Sequence, residues 1–435
     1  MSINLSITKK TFWLPILLLL FGCGEKLHSQ KSYEKEKKRL EYLSLGKGLS
    51  DLVQLDEEGV KIFPNSNIKN STPEFTLYWE EKDCFVKLIK SLSMDSLEKI
   101  YLTKVNKRFK LDGCLDTFYY KSSGSLSGKK IAIDPGHFAG EMATAKIEQK
   151  YLDFKAKDKN GDSIAIKISE GVLTWHTAFL LKAALEKEGA VVMMTRPELK
   201  NTSFGISFED WCKNFRNKTL DSLKKHQKIS PLECKKWLGC NTKKFFWEFF
   251  RDFELYNRSK KINDFKPDLT VIIHYNVDEK NTDWKKPTEK NFTMCFIGGA
   301  MNKESFDKVS NKVNFLRLLL SDDLERSDKI AGLTVNEFSK NLDIKIDGKN
   351  DADYLREKCV ESKSSGVFCR NLALCRTIAS PLVYGECLYQ DNKTECLELI
   401  KNDKMFDGIK SNSRVKKVAE SYFNAIKKYF EDSNN

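Results

Sequence analysis

Hydrophobic and polar positions follow two different periods along the second half of the chain. Short apolar runs of the kind that form buried strands lie at residues 130–134, 190–195, 268–274, 292–297 and 380–385. Between and after them come segments with the apolar spacing of amphipathic helices, at 172–187, 255–265 and 415–430. Because alternating strands and helices favour helices packed on a sheet, the pattern predicts an α/β fold with a twisted, mostly parallel sheet flanked by helices.

Two segments interrupt this alternation. Residues 151–168 alternate around Asn160-Gly161, a dipeptide typical of hairpin turns, and predict a β-hairpin insertion. Residues 199–253 are rich in lysine and aromatic side chains and predict a helical insertion. This insertion and residues 300–365 are candidates for a lid, because both lie between predicted strands. The alternative for each is a helical decoration packed on the sheet edge.

The first part of the chain divides into three regions after its N-terminal segment. Residues 23–50 are polar and rich in Lys and Glu, which indicates a tether or an exposed helix. Residues 51–120 have short mixed patterns and predict a small α+β domain of unknown role. Residues 121–130 are rich in serine and glycine, as is typical of flexible linkers. We therefore place the main domain at 131–430.

Composition narrows the class of protein. The 435 residues leave room for about two domains. A hydrophobic fraction of 40% and a mean hydropathy of −0.48 exclude a polytopic membrane protein. Lys and Arg number 74 against 61 Asp and Glu, and the net charge of +13 favours nucleic acid, anionic lipid or an acidic wall polymer as partner.

The N-terminus predicts export. Two lysines precede an apolar run at 12–21 that is short for a membrane span but typical of a secretory signal. The run ends in Gly22-Cys23, which resembles a bacterial lipobox, so we expect a signal peptide at 1–22 and a lipid on Cys23. An ordinary signal or a short anchor is the alternative. We expect a periplasmic protein of the cell envelope, anchored in the outer membrane in preference to the inner one, and no nucleic-acid partner.

Export also permits disulfides, because the compartment is oxidising. The 12 cysteines leave an odd number once Cys23 is set aside, so at least one is free or pairs outside the chain. The close pairs Cys234/Cys240 and Cys369/Cys375 are candidates, but the sequence leaves the connectivity open. The absence of any C-x-x-C motif disfavours a cysteine zinc site.

Four residues that can carry chemistry stand at the ends of predicted elements. His137 and His274 end or follow strands, Glu386 follows the last strand, and Glu170 begins a helix. Open α/β sheets bind ligands at the carboxyl ends of their strands. Two imidazoles and a carboxylate are a ligand set for catalytic zinc, and a second carboxylate can act as general base. Each residue alone is better explained by structure, since an acid at a helix N-terminus is favoured by the dipole. Together they predict a metal site.

The motifs around these residues resemble the type-3 family of zinc-dependent N-acetylmuramoyl-L-alanine amidases. In order they are Ile133-Asp-Pro-Gly-His137, Glu170 with Ala183-Ala-Leu-Glu-Lys-Glu-Gly-Ala-Val-Val-Met-Met-Thr-Arg196, Arg258 ahead of Val271-Ile-Ile-His274-Tyr-Asn276, and Pro381-Leu-Val-Tyr-Gly-Glu386. The resemblance covers about residues 129–430 without 199–253. It implies that His137, Glu170 and His274 bind Zn²⁺ and that Glu386 is the catalytic carboxylate. The substrate it implies is peptidoglycan, cut between N-acetylmuramic acid and L-alanine.

The chain departs from the family pattern in two places. The glycine-rich stretch after the first histidine is absent, and Glu170 lies unusually far along the chain, a distance that the predicted hairpin explains. Glu141 and Glu148 lie in this interval as rival ligands, although neither begins an amphipathic helix that leads into a Thr-Arg strand. After Glu386, a run that begins with Cys387 replaces the usual Thr-Gly-Phe.

Other functions and other residues remain as alternatives. Arg258 and Arg370 are candidates for binding substrate carboxylates, with surface or ion-pair use as the alternative. His176 is interpreted as a packing or helix-surface residue. The competing functions are a catalytically weak wall-binding protein on the same fold, a zinc peptidase that cuts within stem peptides, and a nucleic-acid binder. Glu386 argues against the first and export against the last. A protein activator that displaces a lid is a further candidate partner.

Overall fold

The computed structural model describes residues 34–46, 48–64, 71–105, 107–108, 126–138, 142–281 and 284–432. The chain divides into two compact units, Met1–Glu41 with Lys47–Leu115 and Tyr42–Gly46 with Asp116–Asn435. The predicted signal peptide, Cys23, most of the predicted linker and the rival ligand Glu141 lie outside the described residues. Within the described ranges, no helix has the length and apolar character needed to cross a membrane.

The first unit combines a small sheet with helices. Its elements are residues 34–41 of α1 (residues 34–43), β1 (Val53–Leu55), β2 (Gly59–Ile62), β3 (Phe75–Tyr78), α2 (Lys82–Ser91) and α3 (Met94–Lys104). The three strands pair antiparallel. Phe75 of β3 stacks on Tyr101 of α3 with 4.6 Å between ring centroids. The buried ammonium group of Lys104 pairs with Glu81 at 2.8 Å.

The end of the predicted tether belongs to the second unit, which corrects its assignment. Leu43 is fully buried, and the Tyr42 carbonyl accepts a hydrogen bond from the Ala300 amide at 3.0 Å. Ser44 forms a parallel bridge with Met301. An apolar side chain buried in this way stabilises the packed segment, so residues 42–46 are not a free tether.

The second unit is built on an eight-stranded sheet with two added hairpins. Its strands are β4 (Lys130–Pro135), β5 (Tyr151–Lys157), β6 (Ser163–Ser169), β7 (Val191–Met194), β8 (Leu269–Asn276), β9 (Phe292–Gly298), β10 (Lys345–Ile346), β11 (Cys359–Glu361), β12 (Val367–Arg370), β13 (Leu382–Tyr389), β14 (Lys404–Phe406) and β15 (Ile409–Ser411). The spatial order is β11-β12-β9-β13-β8-β4-β7, with β10 beside β9. All pairs are parallel except β9 with β13 and β11 with β12. The predicted mostly parallel sheet is therefore confirmed.

Helices cover both faces of this sheet. The helices of the second unit are α4 (Met142–Glu148), α5 (Glu170–Lys187), α6 (Phe208–Asn214), α7 (Arg216–Lys225), α8 (Pro231–Gly239), α9 (Thr242–Phe245), α10 (Arg251–Phe265), α11 (Val309–Leu320), α12 (Asp323–Leu342), α13 (Asp353–Lys358), α14 (Ala373–Thr377), α15 (Glu395–Leu399) and α16 (Ser413–Glu431). Helices α5, α12 and α16 pack together on one face, and α10 and α14 lie on the other. The central strand β8 is buried along nearly its whole length, as expected of a parallel strand covered on both sides.

Residues 300–365 are part of the layered core. Helix α12, which the sequence analysis did not predict, packs against α16, β13 and β9. Its Phe338 ring meets Tyr422 of α16 edge to face with 4.8 Å between centroids. Ile330 and Val335 are fully buried. Because removing α12 would expose the sheet, the structure favours a packed helical layer over the candidate lid for this segment.

The two predicted insertions take the expected secondary structure. Strands β5 and β6 form an antiparallel hairpin whose loop spans residues 158–162, closed by the Asp158 side chain. Residues 199–253 contain α6 to α9 and a π-helical segment, Phe246–Phe250, that runs into α10. An aromatic core that includes Trp211 and Phe250 holds this helical insertion together.

Most cysteines of the described residues are free thiols. They are Cys212, Cys234, Cys240, Cys295, Cys359, Cys369, Cys375, Cys387 and Cys396. Both close pairs considered as disulfide candidates are therefore unbonded. Cys84 of the first unit is disulfide-bonded.

Candidate metal centre

A Pro-Gly turn at the end of β4 brings the first two candidate residues together. The Gly136 amide donates a hydrogen bond to the Ile273 carbonyl at 3.0 Å, which holds the turn against β8. A Cβ atom at Gly136 would lie 2.3 Å from Nε2 of His274, so only glycine allows this approach. The backbone of His137 is left-handed, with φ of 62°. The rings of His137 and His274 consequently lie 4.6 Å apart, edge to face.

Three donor atoms converge beside this turn. Nε2 of His137 lies 2.8 Å from Oε1 of Glu170 and 3.0 Å from Nδ1 of His274. Nδ1 of His274 lies 3.3 Å from the same Glu170 oxygen. In the described part of the chain, no other group of three or more His, Cys, Asp or Glu side chains is arranged to hold a metal. A tetrahedral zinc ion with bonds of about 2.0–2.1 Å separates its ligands by roughly 3.3 Å, so the donor set fits zinc.

Glu148 occupies the other nitrogen of the first histidine. Its Oε1 accepts from Nδ1 of His137 at 2.7 Å, and its Oε2 accepts from the Phe138 amide at 3.1 Å. A carboxylate in this position fixes the ring orientation and leaves Nε2 free for a metal. The structure therefore separates the rival ligands, because Glu170 joins the donor atoms while Glu148 holds His137 from behind. This role is not predictable from the local sequence, because it arises only when α4 folds back onto the turn.

The ionisation of the three donors is linked. Burial disfavours the charged ring of His137, but Glu170 and Glu148 outweigh it and raise its pKa to about 9. Burial and the charge on His137 lower the pKa of His274 to about 4. Burial opposes ionisation of Glu170, yet His137 outweighs it and lowers the pKa of this carboxyl well below its usual range. The positive charge of a proton on His137 thus offsets the negative charge of the neighbouring carboxylates, and a bound cation can take the place of that proton.

Glu386 stands beside the donor atoms on the neighbouring strand. It pairs in register with His274, because β13 and β8 are adjacent and parallel. Its Oε2 is buried and has no hydrogen-bond partner among the described residues. Burial and the charge of Glu170 raise the pKa of Glu386 to about 8. A carboxyl group with an unsatisfied oxygen and a pKa near neutrality is suited to exchanging protons.

Tyr384 is a site residue that the sequence analysis did not identify. Its ring stacks on His274 with 4.4 Å between centroids and 6° between planes. It lies two residues before Glu386 on β13, so both side chains project from the same face of the strand. That alternation was the signal available in the sequence.

Buried arginines hold the turn that carries His137. Arg258 is 1% exposed and donates to Glu254 at 2.6 Å, to the His137 carbonyl at 2.6 Å and to Asp134. Arg196 donates to the Pro135 carbonyl. Of the two alternatives for Arg258, the structure supports ion-pair use over binding of a substrate carboxylate, because its donors are used inside the protein.

The other singled-out residues are not among the three donor residues, although the positive charge of Arg370 acts against the raised pKa of Glu386. The guanidinium carbon of Arg370 lies 4.8 Å from the Phe296 ring centroid and 4.9 Å from that of Tyr354. His176 is partly buried and contacts the Ser411 hydroxyl at 3.2 Å. These positions agree with a packing role for His176.

A cleft of about 200 Å³ opens above the site. His137, His274 and Tyr384 line its base, Trp247 and Leu255 line one side, and residues 372–374 line another. The two histidines line the cleft. The helical insertion contributes Trp247 to the lining and forms a wall of the cleft. No residue of the segment 300–365 contributes to the described lining.

Comparison with known proteins places the chain in a family. The family model of N-acetylmuramoyl-L-alanine amidases matches residues 131–428. No curated protein sequence is significantly similar to the chain. Similar solved structures include the amidase Ami1 from Mycobacterium smegmatis, 13% identical with a TM-score of 0.38, covering 71% of this chain and 99% of that one. Another is the CwlD amidase from Clostridioides difficile in complex with the GerS lipoprotein, 15% identical with a TM-score of 0.37, covering 69% and 98%. Since the family match spans well over half of the chain and contains all four motifs, the protein belongs to the type-3 family of N-acetylmuramoyl-L-alanine amidases.

Proposed function

We propose that this protein is an exported, zinc-dependent amidase that hydrolyses the bond between N-acetylmuramic acid and L-alanine in peptidoglycan. The observation that carries the proposal is the convergence of the donor atoms of His137, Glu170 and His274 beside Glu386. Family membership supports a peptidoglycan amidase. The two-histidine, one-carboxylate donor set supports zinc as the metal.

Each residue of the site has one task in this reaction. His137, Glu170 and His274 would hold Zn²⁺, which when bound lowers the pKa of a water molecule and polarises the scissile carbonyl. Glu386 accepts a proton from the attacking water and passes it to the leaving amine of L-alanine. The amide C–N bond breaks, the lactyl group gains the hydroxyl, and the peptide leaves with a free amino group. Glu148 keeps Nε2 of His137 directed at the donor group.

The proposal includes attachment to a membrane through a lipid on Cys23. The short apolar run at 12–21 and its Gly22-Cys23 ending support this part. The role is then remodelling of the wall or separation of daughter cells from within the periplasm, with the outer membrane as the expected location. Labelling with a radioactive fatty acid tests the anchor, because Cys23→Ser is expected to abolish the label and to release the protein from membranes.

The reaction is tested on purified peptidoglycan with mass analysis of the products. The full-length protein is expected to release stem peptides that begin with L-alanine, and chelation or Glu386→Ala is expected to abolish release. Glu289→Ala is the matched control, because this glutamate is exposed and lies outside the cleft. Bound metal without product would favour the wall-binding alternative, and cleavage within the peptide would favour the peptidase.

A further inference from the structure

Two cationic side chains line the cleft and have no task in the proposed reaction. Lys150 directly precedes the hairpin strand β5, and Arg251 is the first residue of α10. Both line the same cleft as His137 and His274. Lys150 immediately precedes the hairpin insertion and Arg251 lies in the helical insertion, so neither belongs to the motifs of the core site.

Lys150 lines the cleft, and its positive charge acts on the buried carboxyls of Glu148, Glu170 and Glu386 from beyond ion-pair distance. It has no carboxylate within ion-pair distance among the described residues, and it lies 4.8 Å from the ring centroid of Trp284. Burial raises the pKa of Glu386 and the positive charge of Lys150 acts against it. The ammonium group is therefore within electrostatic range of the reacting carboxylate. A cation held on an aromatic face keeps its hydrogen-bond donors available.

Arg251 contributes a guanidinium group from the helical insertion. Its Nε donates to Asp252 at 2.9 Å, and its two terminal nitrogens have no acceptor among the described residues. The guanidinium carbon lies 5.3 Å from the ring centroid of Trp247, which also lines the cleft. A guanidinium group with both terminal nitrogens available can bind a carboxylate with two parallel hydrogen bonds.

The charges on the site explain why cations are needed above it. Glu148 and Glu170 are buried beside the donor atoms with lowered pKa values, so both are ionised, and their negative charge opposes an incoming anionic substrate wherever nearby cations do not offset it. In the substrate of the proposed reaction, the lactyl carboxyl is tied up in the amide bond and the acetylated sugars carry no charge. The carboxylates that need a partner therefore belong to the peptide.

We propose that Lys150 and Arg251 form a subsite that binds a carboxylate of the substrate's peptide. The inference rests on the proposed amidase function and deepens it, because it makes the enzyme selective for peptides with free carboxylates over peptides whose carboxylates are amidated. Trp284 and Trp247 hold the two cations by their ring faces and set their direction.

A matched pair of ligands tests the subsite. The probes are N-acetylmuramoyl-L-alanyl-D-glutamate and the same compound with both carboxylates converted to amides. Calorimetry on the chelator-treated full-length protein measures binding without turnover, and kcat/KM is then measured on the zinc-loaded protein. We expect the acid to be favoured at least about tenfold in both, the effect of a charge-assisted hydrogen bond.

Substitutions assign the preference to the two residues. Lys150→Gln and Arg251→Gln are each expected to reduce the preference for the acid by about tenfold, chiefly through KM, because each removes one charged donor. Lys150→Arg is expected to restore it. Lys155→Gln is the matched control, because it removes the same charge from an exposed position on β5 outside the cleft. Unchanged thermal unfolding shows that the variants are folded.

The outcomes separate this subsite from the proposed reaction. Equal binding of acid and amide, together with hydrolysis of both, overturns the subsite and leaves the amidase function intact. A binding preference for the acid that Lys150→Gln abolishes, without hydrolysis of either compound, supports the subsite and contradicts the amidase function. An equal loss in Lys155→Gln overturns the subsite, because the preference then reflects general surface charge.

Discussion

The base of the cleft and its inserted wall are built differently. At the base, His137, Glu170 and His274 are buried or nearly so, and each makes two or more contacts within the site. On the wall, Trp247 and Arg251 are only half-buried and make few polar contacts. A densely bonded base fixes the atoms that react, whereas a loosely bonded wall can change with the substrate at little cost to the fold.

The origin of the rigidity also differs between the two regions. The base is fixed by the register of β4, β8 and β13, so its residues cannot shift separately. The wall is fixed by the aromatic core of the helical insertion. The two regions meet at Phe138, whose ring lies 4.7 Å from that of Phe246. We infer that the base determines the reaction and that the wall determines which substrates reach it.

Removal of Glu386, the proposed proton acceptor, is expected to have the largest effect on the rate. Glu386→Gln keeps the size of the side chain but cannot accept the proton, so kcat should fall by about 10²–10⁴. Zinc content, measured by atomic absorption, should stay unchanged because Glu386 is outside the donor group. Glu289→Gln serves as the control. A variant that kept nearly full kcat would show that the base of the cleft does not set the chemistry.

Loss of the carboxylate behind His137 is expected to have the next largest effect. Glu148→Gln keeps one hydrogen bond but removes the charge that orients the ring, so zinc affinity should weaken by about 10–100-fold. Competition with a fluorescent chelator measures it. Asp153→Asn, an exposed carboxylate nearby, is the control. An unchanged affinity would mean that the sheet alone positions His137.

Zinc affinity should also depend on pH in a known direction. In the metal-free protein the pKa of His137 is raised to about 9, so its ring is protonated at neutral pH and must lose that proton to bind a metal. Between about pH 6 and 8, each unit decrease in pH should weaken binding about tenfold, and one proton should be released. Calorimetry in buffers of different ionisation enthalpy counts the protons. A dissociation constant independent of pH would contradict the linked site.

The smallest effect is expected from the wall. The indole nitrogen of Trp247 donates to the Ile147 carbonyl at 3.1 Å and links the insertion to α4. Trp247→Phe removes this bond, which is worth about 0.5–1.5 kcal/mol, so unfolding stability should fall by that amount. KM should rise less than about tenfold while kcat is retained, because ΔΔG of about 1.4 kcal/mol corresponds to a factor of ten. A large loss of kcat would contradict the inference that the wall affects only substrate binding and the base of the cleft the reaction.

Much of the fold and of the site could be predicted because both depend on local pattern. The strand runs and the motif order predicted the sheet, and the same motifs predicted the residues that the structure brings together. Helix α12 and the role of Glu148 were missed for a different reason. The first follows from packing between distant segments, and the second from α4 folding back on the turn after β4. The alternatives for Arg258 stayed open for a related reason, because burial of a charge is not visible in its neighbours along the chain.

The sequence by itself determined which residues are available for chemistry and that they stand at strand ends, because side-chain type and apolar period are local properties. Only the tertiary structure decided which carboxylate joins the donor atoms, which one holds His137, and which cations face the cleft. Those choices depend on distances of a few ångströms between segments far apart in the chain. Gly136 shows the physical reason, since its lack of a Cβ matters only once β8 places His274 against it.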